Sequence, residues 1–138
     1  MAKLVIIEES PWITKHIRGV LEAAGHEVYA AEDGDQGLEL INRVNPELIL
    51  LEVILPGKDG FEIVTSLSRE NAGIKIIAMI SGRVVYADHY LNAMKCLGVE
   101  LTLKKPFRDR YLVDSVETLL HNDEEELTEF TDVLPGDA

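Results

Sequence analysis

At 138 residues the chain is long enough for one domain with a substantial core and too short for two. Its composition, 46% hydrophobic and 28% charged, excludes the disordered and fibrous classes, and no apolar run approaches the ~20 residues that a membrane span needs. The net charge is −12; the seven acids of residues 121–138 account for −7 of it and leave −5 on residues 1–120, a surface that repels phosphate backbones and argues against nucleic-acid binding.

The chain opens on "MAKLVIIEE", which runs straight into a strand-like stretch with no signal-peptide plan, so the cytoplasm is the expected compartment. Cys96 is the lone cysteine, which excludes an internal disulfide and a cysteine-rich zinc site. A small packed apolar residue is the expected role for it.

"KLVII" (3–7) is a nearly continuous apolar run, as expected for a strand covered on both faces. In "SPWITKHIRGVLEAAG", Ser10 can cap a helix, Pro11 suits its first position and Gly25 can stop it. Ile13, Ile17, Val20, Leu21 and Ala24 recur on one stripe of that helix. "HEVYAAE" (26–32) then reads as a strand, "DQGLELINRV" (35–44) as a helix and "ELILLEV" (47–53) as a third strand.

After the turn at Pro56, Gly57 and Gly60, residues 61–70 read as a helix and "IKIIAMI" (74–80) as a buried strand. Residues 84–97 form the fourth predicted helix, ended by Gly98; "VELTL" (99–103) is the fifth strand and residues 108–121 the fifth helix. Five β-α units of this length predict an α/β fold, a five-stranded parallel sheet with helices on both faces. The domain is expected over residues 1–121, with an acidic tail over 122–138. That tail carries Leu127, Phe130 and Val133 before Pro135-Gly136. A solvated tail is the simpler expectation, and docking of Leu127 and Phe130 on the domain or on a partner the sharper one. No DNA-binding or catalytic output domain is expected after residue 121.

In an open parallel sheet, ligands sit beyond the carboxyl ends of the strands where strand order reverses, between strands one and three for the order 2-1-3-4-5. Strand one runs into Glu8-Glu9, strand three reaches Glu52, strand four is followed by Ser81-Gly82, and strand five by Lys104-Lys105-Pro106. Three carboxylates, a hydroxyl and an ammonium are thus predicted to converge. Clustered carboxylates ask for a cation, and oxygen ligands suit Mg²⁺. Such an ion would neutralise a phosphoryl group, an acid could take that group as an acyl phosphate, and Ser81 and Lys105 would bind its other oxygens.

With these residues, the sequence resembles the receiver domain of two-component response regulators (CheY-like) over about residues 3–121. The resemblance rests on the acid pair Glu8-Glu9, Glu52 followed by "LPGKDG", Ser81 after strand four and Lys105-Pro106 after strand five. It implies a flavodoxin-like fold and places Glu52 at the phosphoacceptor position, Ser81 at the switch hydroxyl and Lys105 at the phosphate-contacting lysine. It implies Glu8, Glu9, Glu52 and the backbone carbonyl of Ile54 as metal ligands. The implied role is phosphorelay signal transduction through protein–protein contacts rather than enzymatic turnover. Implied partners are a histidine kinase, a phosphotransfer protein or a downstream signalling protein, with no nucleic acid and no membrane.

The departures from that family lie in the acids, since all three are Glu where receivers have Asp at the acceptor and usually in the pair. Each Glu adds a methylene, while Mg²⁺ demands near-octahedral geometry at ~2.0–2.1 Å and a 1 Å misplacement costs on the order of 10²-fold in rate. A pseudo-receiver is therefore expected, in which Glu52 reaches toward Ser81 or Lys105 and imitates part of a phosphorylated state. A phosphorylatable receiver using Glu52 is the alternative. Thr102 stands where receivers often carry an aromatic rotor that moves with the switch hydroxyl. Tyr86, Tyr90 and Tyr111 are candidates for a partner-binding face, with ordinary packing the simpler role.

Trp12, at the start of a helix that in receivers docks the histidine-bearing partner, is expected either as an exposed anchor or as local packing. His16, His26, His89 and His121 show no metal-ligand or catalytic spacing and are expected to be solvated or locally bonded. From a different functional class, a flavodoxin-like cofactor binder or small α/β enzyme shares the fold. Glu8-Glu9 would repel a flavin phosphate at the first turn, and no histidine partner is evident for a hydrolase using Ser81.

Overall fold

Strand and helix alternate without interruption: β1 (Lys3–Ile7), α1 (Pro11–Ala23), β2 (Glu27–Ala31), α2 (Gly34–Val44), β3 (Leu48–Glu52), α3 (Gly60–Ser66), β4 (Lys75–Ser81), α4 (Ala87–Cys96), β5 (Leu101–Lys105) and α5 (Asp109–His121). The structure is a computed structural model that describes residues 1–67 and 71–121. The expectations for Leu127, Phe130, Val133 and the tail fall outside the described residues, as does the end of the third predicted helix. All strands pair in parallel in the predicted order β2-β1-β3-β4-β5. No described helix is long and apolar enough to cross a membrane.

The sheet is covered on both faces, which is why its strands are continuously apolar rather than alternating. Val5, Ile7, Ile49 and Leu51 meet Leu40 and Ile41 of α2, Ile63 of α3 and Met94 of α4 on one face. Leu4, Ile6, Leu48 and Leu50 meet Ile17 and Leu21 of α1 and Leu112 and Val116 of α5 on the other. Each fully buried aliphatic side chain contributes ~1.5–3 kcal/mol of transfer free energy. These two layers fix the strand edges that carry the site.

The helix starts follow from local chemistry. Ser10 caps α1 by accepting from the Ile13 N–H at 3.3 Å, with Pro11 next in line. Asp33 accepts from the Gln36 N–H at 2.8 Å at the start of α2, and Asp59 and Glu62 form a reciprocal capping box on α3. Asn45 ends α2 in the left-handed region at φ 53°. Gly34 is required by packing, because a Cβ there would lie 2.1 Å from the Lys58 carbonyl oxygen. That contact brings the β3–α3 loop against the head of α2.

Several boundaries differ from expectation. α4 begins at Ala87 rather than residue 84, because Tyr86 adopts a left-handed conformation (φ 65°) and breaks the helical run. β5 lies two residues later than predicted, at Leu101–Lys105. Glu100 makes the lead-in contact: its N–H donates to the Ile76 carbonyl and its side chain accepts from the Ile76 N–H. The shift carries Lys105 into register with Ser81.

Side-chain expectations were also corrected. Cys96 is exposed, because the buried stripe of α4 runs through Ala87, Leu91 and Met94 and residue 96 falls off it. His26 is buried and bonded far along the chain: its Nδ1 accepts from the Ala2 N–H at 3.2 Å and its Nε2 meets Glu117 at 2.6 Å. The acceptor role of Nδ1 places the proton of the neutral ring on Nε2, which donates to Glu117. His16 likewise reaches across to Asp109 of α5 at 2.7 Å. Tyr86 and Tyr111 are exposed rather than packed, while Tyr90 tilts against Phe61 with ring centroids 6.2 Å apart.

Candidate functional site

Successive strand side chains alternate between faces, so parity decides which site residues can meet. Glu8 follows Leu4 and Ile6, Glu52 follows Leu48 and Leu50, Ser81 follows Ile77 and Met79, and Lys105 follows Leu103, all on the α1/α5 side. The carboxyl ends of β1, β3, β4 and β5 therefore bring Glu8, Glu52, Ser81 and Lys105 to one edge and one face of the sheet.

Lys105 joins the two acids. Its Nζ donates to Oε1 of Glu8 at 2.7 Å and to Oε1 of Glu52. Glu8 is only 3% exposed and Glu52 only 6%, and the lysine side chain is largely buried as well. The second oxygen of Glu8 accepts from the Ser10 N–H at 3.0 Å, so both its oxygens are engaged. The Ser81 hydroxyl instead accepts from the Arg83 N–H at 3.2 Å within its own loop. Of the two predicted reaches of Glu52, toward Ser81 or toward Lys105, the structure shows the second.

Burial sets the electrostatics. Removal from water pushes the Glu52 carboxyl up, Lys105 pulls it down and the neighbouring Glu8 pushes it up, and the balance leaves it at about 7. Burial by itself would lower the Lys105 ammonium, but its bonds to Glu52 and Glu8 outweigh that and hold it above its ordinary value. The cluster is one persistent cation between two carboxylates, of which Glu52 takes up a proton near neutrality.

Glu9 does not join them. It has the opposite parity to Glu8 and is exposed, and among the described residues no group of three or more His, Cys, Asp or Glu is placed to hold a metal ion. Two carboxylates, Glu8 and Glu52, and the Lys105 ammonium are the groups that bond to one another here. Ile54 lies on the exposed loop after β3. Thr102 is half-buried on the opposite face of β5 from Lys105, beside Ala78 of β4. The donor set as arranged does not fit a divalent ion, since the Lys105 ammonium sits between the two buried acids and both oxygens of Glu8 are already bonded.

An apolar cavity of about 370 Å³ opens beside the cluster, with Ser81 and Lys105 at its inner end and Trp12, Ile13, Pro106 and Phe107 among its walls. Trp12 is 83% exposed, which decides between the two expectations for it in favour of exposure. The Phe107 wall and the second use of Ser10, whose N–H fixes Glu8 while its hydroxyl caps α1, were not foreseen. The only sequence signal was the closeness of Ser10 to the acid pair.

A family model described as the response regulator receiver domain matches residues 4–117 of this geometry. The chain belongs to the response regulator receiver family. Protein PilH of Pseudomonas aeruginosa is 32% identical over 122 residues, covering 87% of this receiver and 98% of PilH. The DNA-binding response regulator MtrA of Mycolicibacterium smegmatis is 26% identical over 131 residues, and there the receiver spans 95% of its own length but only 56% of MtrA. Among solved structures, the chemotaxis protein CheY4 of Vibrio cholerae superposes with a TM-score of 0.77 at 24% identity, covering 86% of this chain and 98% of that one, a likeness of fold. Receivers are signalling modules of two-component systems that generally bind Mg²⁺ at the phosphorylation site. Glu8, Glu52 and Lys105 stand at the carboxyl ends of β1, β3 and β5 of this receiver.

Proposed function

We propose that this receiver works independently of phosphorylation, as a pseudo-receiver that signals through protein–protein contacts. The single observation that carries the proposal is the Lys105 ammonium bridging Glu8 and Glu52. A phosphoacceptor must present an ionised oxygen to an incoming phosphorus. Glu52 is instead buried, bonded to a lysine and partly protonated near pH 7. Lys105 supplies internally a positive charge that both buried acids share, so the pair is held together without Mg²⁺. The partners are a histidine kinase, a phosphotransfer protein or a downstream signalling protein in the cytoplasm, and no reaction is turned over. Direct nucleic-acid binding is not part of this role, given a net charge of −12.

Intact-mass spectrometry after incubation with acetyl phosphate and Mg²⁺ tests it, with Glu52→Asp in parallel. No adduct on the native chain, with or without one on Glu52→Asp, is expected; an adduct on Glu52→Asp alone locates the change in the nucleophile. A hydroxylamine-labile phosphoryl adduct on native Glu52 would overturn the proposal and establish a phosphorylatable receiver.

A further inference from the structure

α1 is the cationic helix of an acidic protein. Lys15 and Arg18 outnumber Glu22 on it, whereas acids outnumber Lys and Arg on α2, α3 and α5, and α4 balances Asp88 with Lys95. Arg18 pairs with Glu22 at 3.2 Å, and Lys15 has no ion pair among the described residues. The same helix has an apolar outer side. A shallow groove runs along it past Trp12, His16, Gly19, Val20 and Ala23 and shares Trp12 with the cavity over Ser81 and Lys105.

Gly19 sits in the middle of this groove. Glycine is the weakest helix former short of proline, yet nothing among the described residues comes within 4 Å of where its Cβ would be. No close approach inside the domain accounts for it. The gap does suit a segment of chain laid across the helix from outside.

The described chain ends beside the groove's lower end. His121, the last described residue of α5, lies one turn after Glu117, and Glu117 is bonded at 2.6 Å to His26, which closely follows α1. From there back to Trp12 the helix measures about 17 Å at ~1.5 Å per residue. Extended chain spans ~3.3 Å per residue, so six to nine residues cover roughly 20–30 Å. Leu127 and Phe130 stand six and nine residues past His121, among the seven acids of this segment.

We propose that residues 122–138 of the same chain occupy this groove, with Leu127 and Phe130 on its apolar floor between Val20 and Trp12 and the acids along Lys15 and Arg18. The docked segment competes with any partner that approaches α1, whether or not Glu52 accepts phosphate. The site is a groove for an acidic, apolar-studded peptide, and its ligand is carried in cis.

Trp12 is the chain's single tryptophan and lies within the groove, so it reports directly on occupancy. Acrylamide quenching of its fluorescence is compared in the full-length chain and in full-length Leu127→Ser/Phe130→Ser. A covered state populated at half or more predicts a quenching constant at least about twofold higher in the variant. Lys15→Glu, and 1 M salt with its ~3 Å screening length, shift the native chain in the same direction. Equal quenching in all samples, with Trp12 fully accessible in the native chain, overturns the proposal. Protection that grows with protein concentration also overturns it, because the occupant is then a second copy.

Discussion

Replacing Glu52 by Gln isolates the energetic consequence of burying a carboxylate beside Lys105 and Glu8. In the folded chain Glu52 titrates at about 7 against an ordinary value of 4.5, chiefly because burial disfavours the charged form. The folded state therefore binds more protons than the unfolded chain between those two values, and stability falls as pH rises through that window. The contribution of this group is most favourable below 4.5 and is lost once pH passes 7. A rise of that size corresponds to an effect on the order of 3 kcal/mol at pH 8. That is a large share of the ~5–15 kcal/mol that keeps a domain folded. Urea denaturation of native and Glu52→Gln protein at pH 5, 6, 7 and 8, with a chelator present, measures it. The variant should gain on the native chain steadily with pH, by up to ~3 kcal/mol across the series. The amide's weaker bond to Lys105 adds a constant offset, so the slope carries the test. A difference independent of pH, or one that favours the native chain as pH rises, would refute the reasoning and mean that Lys105 outweighs burial.

Lys105→Met leaves Glu8 and Glu52 buried without their cation, and removal of one partner from a buried ionic cluster costs ~3–5 kcal/mol. The melting temperature of this variant should drop at pH 8 and recover in part at pH 5, where protonation relieves the repulsion. Millimolar Mg²⁺ should leave the melting temperature of the native chain unchanged, since a ligand stabilises only what it binds. The combined Glu8→Asp, Glu9→Asp and Glu52→Asp variant should instead rise with Mg²⁺, a shift that differential scanning calorimetry resolves.

Much of the site could be read from strand parity alone. Counting by twos from Leu4, Leu48, Ile77 and Leu103 places Glu8, Glu52, Ser81 and Lys105 on one face without any coordinates. The same count says nothing of Glu9, which lies beyond the end of β1 and entered the expected acid pair through the family resemblance. Alternation could not show that Lys105 is long enough to reach both acids, because that depends on the register of β5. A strand predicted at 99–103 would have left Lys105 in a loop; pairing with β4 through Ser81 holds it in the sheet. The fold was plain because five apolar runs and five amphipathic stripes agreed. His26 escaped notice because its partner Glu117 lies 91 residues away, and nothing in its local pattern marks it as buried.

The charge cluster also has a temporal side. Lys105 stands 97 residues after Glu8 and 53 after Glu52, and it lies on β5, which is made after the other four strands of the sheet. While the chain is being made, the two acids can come together on β1 and β3 before any cation is available to join them. The growing sheet must then keep that edge hydrated or protonated until β5 is added at its border, and a chain interrupted before residue 105 holds the two acids without the ammonium that joins them.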